Sequence, residues 1–304
     1  MEGLIEDSTF NAEMPAVVAP SVSSAAKIVS LSRSVPDLVK NDPEAARALA
    51  RLKRANPKAV RARKCLIISE PHARLREFSR DIYQYHIKTT VPWGDLGARL
   101  LPNANLIDYQ NQMETYDNEF GAMKQKFLDD YPRAAAAAQM ELGELYDESL
   151  FPTVAELAPK IKFRVDYDYI ADPDNFYVQI GDQAEAVVKQ QYTEVLESRM
   201  GAVSDYIFKK LREPLTNLVA RIDYDDTDKP SGFRDTIVDN VAEIVELMGK
   251  CNFNNDPKIE RLKISLRNAL TGVTPDGLRA SVTLRDQTKQ NVQQIINELP
   301  TLGF

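Results

Sequence analysis

The sequence predicts a mainly α fold: an elongated antiparallel hairpin of two long, coiled-coil-like helices, with a small β-ribbon and a C-terminal helical cluster. Three observations carry this expectation. Leu106, Tyr109, Met113, Tyr116, Phe120, Met123 and Phe127 recur in steps of three and four without a miss, and such a 3.5-residue repeat keeps one seam turned toward a partner helix. A second stripe, Val188, Tyr192, Val195, Met200, Val203, Ile207, Leu211, Leu215, Leu218 and Ile222, marks another long helix. Between the two, KFRVDYDYI (162–170) and FYVQI (176–180) are β-branched and aromatic with partial alternation, the signature of a ribbon.

Taken in order, the elements have local causes. Residues 1–24 are rich in Ala, Ser, Val and Pro without a sustained period, and a mobile tail is expected, bounded at residue 35. Asp42-Pro43 opens a helix: the carboxylate can accept a backbone N–H, and proline suits the first helical position because its missing donor is not needed there. That helix should stop near Asn56-Pro57. CLIIS (65–69) reads equally as a buried strand or the start of the next helix. Leu75, Phe78, Ile82 and Tyr85 then repeat at helical spacing, closing a basic helical arm over 36–88.

Pro92, Trp93, Gly94 and Gly97 follow as a structural elbow. Pro92 extends Val91, the glycines permit a turn, and Trp93 pins the bend with its N–H on one acceptor. The first long helix, about 26 residues, would extend roughly 39 Å, and Tyr131-Pro132 should kink it or start a second helix. Thr153 and Glu156 form a capping-box pattern. The hairpin with its ribbon occupies 89–225, with Pro214 expected to bend the second helix. Segments 233–249, 257–270 and 284–298 supply the helices of 226–304.

Composition narrows the function classes. The 304 residues are 43% hydrophobic and 27% charged, ordinary for a globular chain with one large or two small domains. No apolar run approaches a membrane span, MEGLIEDSTF lacks a secretory pattern, and the two cysteines fit reduced thiols; a cytoplasmic protein without membrane contact is expected. No G-x-S-x-G, Walker loop or G-x-G-x-x-G occurs, and the 12 glycines do not cluster, so no cofactor and no catalytic residues are expected. His72 and His86 match no metal-ligand spacing and read as surface or partly packed imidazoles. Asp166 and Asp168 sit in the ribbon, and the Asp223–Asp228 cluster resembles a calcium loop but has Asp228 where the turn glycine belongs and Arg234 where the bidentate glutamate belongs. No metal site is expected.

Charge is unevenly spread. The net charge is −7, yet residues 1–100 carry 16 Lys/Arg against 11 Asp/Glu, and the remainder 22 against 34. Arg47, Arg51, Lys53, Arg54, Lys58, Arg61, Arg63 and Lys64 fall within 18 residues that hold no acid. On a helix Arg47, Arg51 and Arg54 would share a face, as phosphate contacts do. The arm has no aromatic platform for stacking, so a solvated face or an acidic protein partner explains the run as well.

Two stretches, GARLLPNANLIDYQNQMETYDNEFGAMKQKFLDDY and LGELYDESLFPTVAELAPKIKFRVDYDYIADPDNFYVQI, resemble a phage and bacterial protein family of unknown function. Its members share a glycine and Arg/Lys-Leu-Leu-Pro elbow, a long helix ending in Phe-Leu-x-x-Tyr, a Phe-Pro-Thr segment and a Lys-Phe strand, and are often encoded beside MoxR/CobS-type AAA+ ATPases and von Willebrand A proteins. The similarity covers about residues 88–225 and leaves the basic arm outside. It implies a phage-type accessory protein of the host cytoplasm, an adaptor or substrate of an AAA+ module; the seam at 106–127 and the missing catalytic constellation add the expectation of a non-enzymatic protein that self-associates or docks on such a module. The competing expectation is a nucleic-acid-binding factor of phage replication or recombination that uses residues 47–64.

Overall fold

The computed structural model describes residues 22–94, 97–172, 182–223, 236–253 and 256–299. The chain is mostly helical with a small antiparallel sheet. A short helix α1 (Val22–Ala25) leads into strand β1 (Ala26–Ser34). Then come β2 (Val39–Asn41), α2 (Pro43–Leu52) and β3 (Arg63–Cys65), followed by α3 (Glu70–Thr89). The hairpin β4 (Val91–Pro92) and β5 (Arg99–Pro102) precedes the long helix α4 (Leu106–Leu142), the single turn α5 (Val154–Leu157) and strand β6 (Lys162–Asp168). Five helices complete the described chain: α6 (Asp182–Ile222), α7 (Thr236–Lys250), α8 (Pro257–Leu270), α9 (Pro275–Ala280) and α10 (Val282–Glu298).

The main sheet runs β4-β5-β1-β6, every pair antiparallel. Val29 of β1 lies opposite Arg99 on one side and Tyr167 on the other. Successive side chains of a strand point to opposite faces, and here the two faces meet different cores. Ala26, Ile28 and Leu100 join a core made with α6, α7, α8 and α10; Val29, Leu31 and Leu101 join a core made with α3 and α4.

Of the tail expected over 1–35, residues 1–21 lie outside the described residues, and the remainder is corrected. Residues 26–34 form an inner strand, and Ala26 and Val29 are fully buried. The strand is anchored by its alternation: Val29 and Leu31 face one core while Ser30 and Ser32 intervene. The first strand of the expected ribbon is present and has β1 as a partner. Lys162–Asp168 pairs with β1, from Ser34 opposite Lys162 to Ile28 opposite Asp168, while 176–180 lies outside the described residues.

The two long helices do not form the expected hairpin. Helix α4 packs on α3 and the sheet, whereas α6 packs on α7 and α10. The reason is that a 3.5-residue repeat specifies which face is apolar, not what covers it. On α4, Tyr109, Met113, Phe120 and Phe127 are buried and Leu106, Tyr116 and Met123 half-buried. Their cover is aromatic: Tyr85 stacks on Tyr109 at 6.0 Å, Phe78 meets Tyr116 edge-on at 5.6 Å, Phe163 of β6 lies 5.6 Å from Phe120, and His72 lies 4.8 Å from Phe127. On α6, Val203, Ile207, Leu211, Leu215, Leu218 and Ile222 are buried with Val241, Val245, Val292 and Ile295 in the second core.

Pro132 does not end α4, which continues ten residues beyond it to Leu142. The missing N–H leaves the Leu128 carbonyl without its helical donor, but packing holds the helix on both sides of the proline. Tyr131, Ala134 and Ala138 are buried, and the Tyr131 hydroxyl donates to the Pro152 carbonyl at 2.8 Å. Likewise Pro214 lies inside α6. Thr153 and Glu156 make the reciprocal capping box that opens α5.

Candidate nucleic-acid interface

The basic residues belong to a small lobe closed by the two-stranded pairing of β2 with β3, in which Asn41 faces Arg63 and Val39 faces Cys65. Helix α2 fills the loop between those strands. The Asp42 side chain accepts from the Ala45 N–H at 2.9 Å, Pro43 occupies the first turn, and the Asp42 N–H donates to the Ala62 carbonyl at 3.0 Å. That last bond ties the start of α2 to the returning segment. At the far end, Ala55 N–H donates to the Ala50 carbonyl at 2.8 Å and Arg54 N–H to that of Arg51 at 3.2 Å. This is the double bond pattern that ends a helix on a left-handed residue, usually glycine. Here the residue is Arg54, at φ 53°. Asn56 then caps a 3-10 turn, Pro57–Ala59, by accepting from the Lys58 N–H at 3.0 Å.

The eight cations divide into three groups. Arg63 and Lys64 hold the lobe to the body: Arg63 pairs with Asp37 at 3.1 Å, and the Lys64 ammonium donates to the Leu145 carbonyl at 2.5 Å with Asp42 at 3.9 Å. Arg47 donates from Nε to the Pro43 carbonyl at 3.2 Å, which lays its guanidinium along the first turn of α2. The remaining five, Arg51, Lys53, Arg54, Lys58 and Arg61, are exposed, and none has an acidic partner among the described residues. Arg47 and Arg51 lie on α2, but Arg54 stands beyond its end, so the single three-arginine helix face expected from the sequence is replaced by charges distributed around the tip of the lobe.

Beneath the tip runs a groove of 590 Å³ between the start of α2 and the 57–63 segment. Pro43, Ala46, Pro57 and Val60 give it an apolar surface, and Asp42, Arg47, Arg61 and Arg63 line it as well. Sequence reasoning found the charges but not these apolar residues; Pro43 and Pro57 are 14 positions apart and meet only because β2 pairs with β3. A second cavity, 470 Å³ between α3, α6 and α7, is lined by Lys88, Lys210 and Arg221 but also by Glu213 and Glu243. Lys88 and Glu243 pair there at 2.9 Å, so this cleft presents no single sign of charge.

The other sequence candidates are placed elsewhere. The elbow is the β4–β5 hairpin: Trp93 N–H donates to the Ala98 carbonyl at 3.0 Å, and Gly97 has φ +82°, the left-handed geometry that favours glycine. Gly94 has no such angle. Pro92 sits on the edge strand, where a missing donor breaks no inner ladder. Trp93 is buried with the Arg199 guanidinium 5.8 Å from its ring, but its indole N–H has no acceptor among the described residues, contrary to expectation. Both histidines are buried: His72 Nε2 lies 2.7 Å from the Pro36 carbonyl, and His86 Nδ1 shares a 2.7 Å hydrogen bond with the Tyr109 hydroxyl. Burial holds both imidazoles below their ordinary range, His86 down to about 4.

Asp166 pairs with Arg164 at 2.7 Å and Asp223 with Lys289 at 2.6 Å, while the rest of the 223–228 acidic cluster lies outside the described residues. Among the described residues, no three His, Cys, Asp or Glu side chains gather as metal ligands would, and no helix is long and apolar enough to cross a membrane. Comparison with protein-family models, with curated proteins and with solved structures finds no match to this chain.

Proposed function

We propose that this chain is a nucleic-acid-binding protein that contacts phosphates through the lobe at 39–65. The observation that supports this reading most is the set of five exposed cations without acidic partners among the described residues, on a lobe tied to the body by Arg63 and Lys64. Solvated basic residues on a folded surface are commonly interleaved with carboxylates; here residues 47–64 contain none, and a single-sign patch of this kind attracts polyanions. A protein partner such as the AAA+ module implied by the resemblance, or a second copy, would need a surface other than the 106–127 seam, whose apolar side chains are largely covered within the chain.

Fluorescence anisotropy with a labelled single-stranded oligonucleotide tests the proposal. Five phosphate contacts correspond to a salt slope of about −3.5, hence about a 100-fold loss of affinity between 50 and 200 mM salt. The variant carrying Arg51→Ala, Arg54→Ala, Lys58→Ala and Arg61→Ala should lose most of that slope. Absence of binding at 50 mM salt, or equal affinity in the variant, would overturn the reading.

Arg54 offers a sharper discrimination. A residue with a Cβ at φ 53° costs about 1–2 kcal/mol relative to glycine, part of which glycine loses again through its freer unfolded chain. Arg54→Gly is therefore expected to stabilise the protein by about 0.5–1 kcal/mol in urea denaturation while reducing the salt slope of binding by about 0.7. A variant that gains stability and keeps its full slope would remove Arg54 from the contact surface.

A further inference from the structure

We propose that the groove between α2 and the 57–63 segment receives an unstacked base, so that the lobe selects single-stranded over duplex nucleic acid. This inference rests on the phosphate-binding role proposed above and adds the class of strand. A nucleotide joins a flat, largely apolar heterocycle to an anionic phosphate, and the lobe offers the matching pair of surfaces. The groove takes its apolar surface from Pro43, Ala46, Pro57 and Val60, and Asp42 and Arg63 line it beside them. Arg47 and Arg61 line it too, and the exposed cations Arg51, Arg54 and Lys58, without acidic partners among the described residues, continue the positive surface outward. The 590 Å³ volume lies within the range of small-ligand pockets.

Of the acidic side chains near the groove, Asp42 is committed to capping α2 and lies 3.9 Å from Lys64, and Asp37 is paired with Arg63. Glu44, exposed on the first turn of α2, stands outside the groove's lining. Arg47 is held by its Nε bond to the Pro43 carbonyl, so its guanidinium plane stays at the mouth, where it can stack on a base as well as meet a phosphate. The lobe has no aromatic side chain, which leaves guanidinium planes and proline rings as the stacking surfaces. In a duplex the base faces are covered by their neighbours and cannot enter; in a single strand they are free.

The experiment compares, by anisotropy with the full chain, three probes of equal phosphate count: a single-stranded oligonucleotide, the same backbone built from abasic residues, and a duplex. DNA and RNA versions of the strand distinguish the two sources. The strand with bases is expected to bind about tenfold more tightly than the abasic one, the low end of what stacking contributes because no aromatic ring takes part. The variant Arg47→Lys/Arg61→Lys keeps both charges and removes both planes; it should retain the salt slope and lose the base-dependent gain. A base-dependent gain in either DNA or RNA that the variant abolishes supports the groove. Equal, salt-dependent binding of the oligonucleotide and the abasic strand overturns the groove and leaves phosphate binding standing. A gain that persists unchanged in the lysine variant places the base elsewhere and also overturns it. Failure of every probe to bind at 50 mM salt removes both readings.

Discussion

Phe127→Ala is expected to destabilise the protein by about 3–5 kcal/mol, whereas Met140→Ala, 13 residues along the same helix, should change stability by less than about 0.5 kcal/mol. Phe127 is fully buried, with the His72 ring 4.8 Å away on one side and Tyr131 edge-on at 5.9 Å on the other. Truncation removes the transfer free energy of the ring and leaves a cavity walled by α3 and α4, elements that cannot close over it because each is fixed by further contacts. These include the Ser69 hydroxyl donating to Asp130 at 2.7 Å and the Tyr131 bond to Pro152. Met140 is 91% exposed, although it too is a large apolar residue of α4. The pair therefore tests the orientation of the helix rather than its existence. Urea denaturation of the two variants checks it, and comparable midpoints would mean that the 106–127 seam does not face α3.

The contrast shows which parts of the structure the amino-acid order discloses. A stripe such as Tyr109 to Phe127 is legible because helical geometry forces residues three and four apart onto one face, and the burial follows from the chemistry of that face. Its cover is not legible: the α3 residues Phe78 and Tyr85 and the β6 residue Phe163 lie 24 residues or more from the α4 rings they touch, and nothing in the local pattern distinguishes them from a second long helix. Strand β1 was legible in principle, since Val29-Ser30-Leu31-Ser32-Arg33-Ser34 alternates strictly. Its three serines and its position after an Ala-, Ser-, Val- and Pro-rich sequence resemble a tail, and only pairing on both sides with β5 and β6 makes it an inner strand. The lobe follows the same logic. Its charges are contiguous and visible, and so is the Asp42-Pro43 helix start, whereas the stop expected at Asn56-Pro57 falls late, since α2 ends at Leu52. The groove needs the β2–β3 pairing to bring residue 43 beside residue 57, which is tertiary information. Arg54 shows the limit from the other direction: the left-handed helix end would have been obvious with glycine there, and an arginine concealed it.

Acidification from pH 7 to 4.5 is expected to remove about 2–3 kcal/mol of stability through His86. Its imidazole is pushed down to about 4, first by burial and then by the Arg99 guanidinium, which is fixed close by through bonds to the Thr90 hydroxyl at 2.6 Å and the Thr90 carbonyl at 2.7 Å. Thr90 in turn donates to the His86 carbonyl, so the cation cannot withdraw without unmaking the end of α3. The tyrosines around the ring do not offset this. Burial raises the Tyr109, Tyr85 and Tyr167 hydroxyls above their ordinary range, so they stay neutral and offer no negative charge. A folded-state value below the unfolded one means that the unfolded chain binds more protons between about pH 6.5 and 4. Stability from this group is accordingly complete above the unfolded value and declines as pH falls toward the folded one. The slope reaches at most about 1.4 kcal/mol per pH unit. His72, lowered chiefly by burial although its bond to the Pro36 carbonyl works the other way, adds a smaller contribution of the same sign. His86→Gln replaces the ring with a side chain that can still bond the Tyr109 hydroxyl but does not titrate. Urea midpoints measured at both pH values should show a steep loss in the parent protein and a much shallower one in the variant, a difference that subtracts the carboxylates common to both. An imidazole that titrates near 6.5 by NMR, or equal pH slopes in the two proteins, would mean that His86 is solvated and that the α3–α4 core is open where the structure shows it closed.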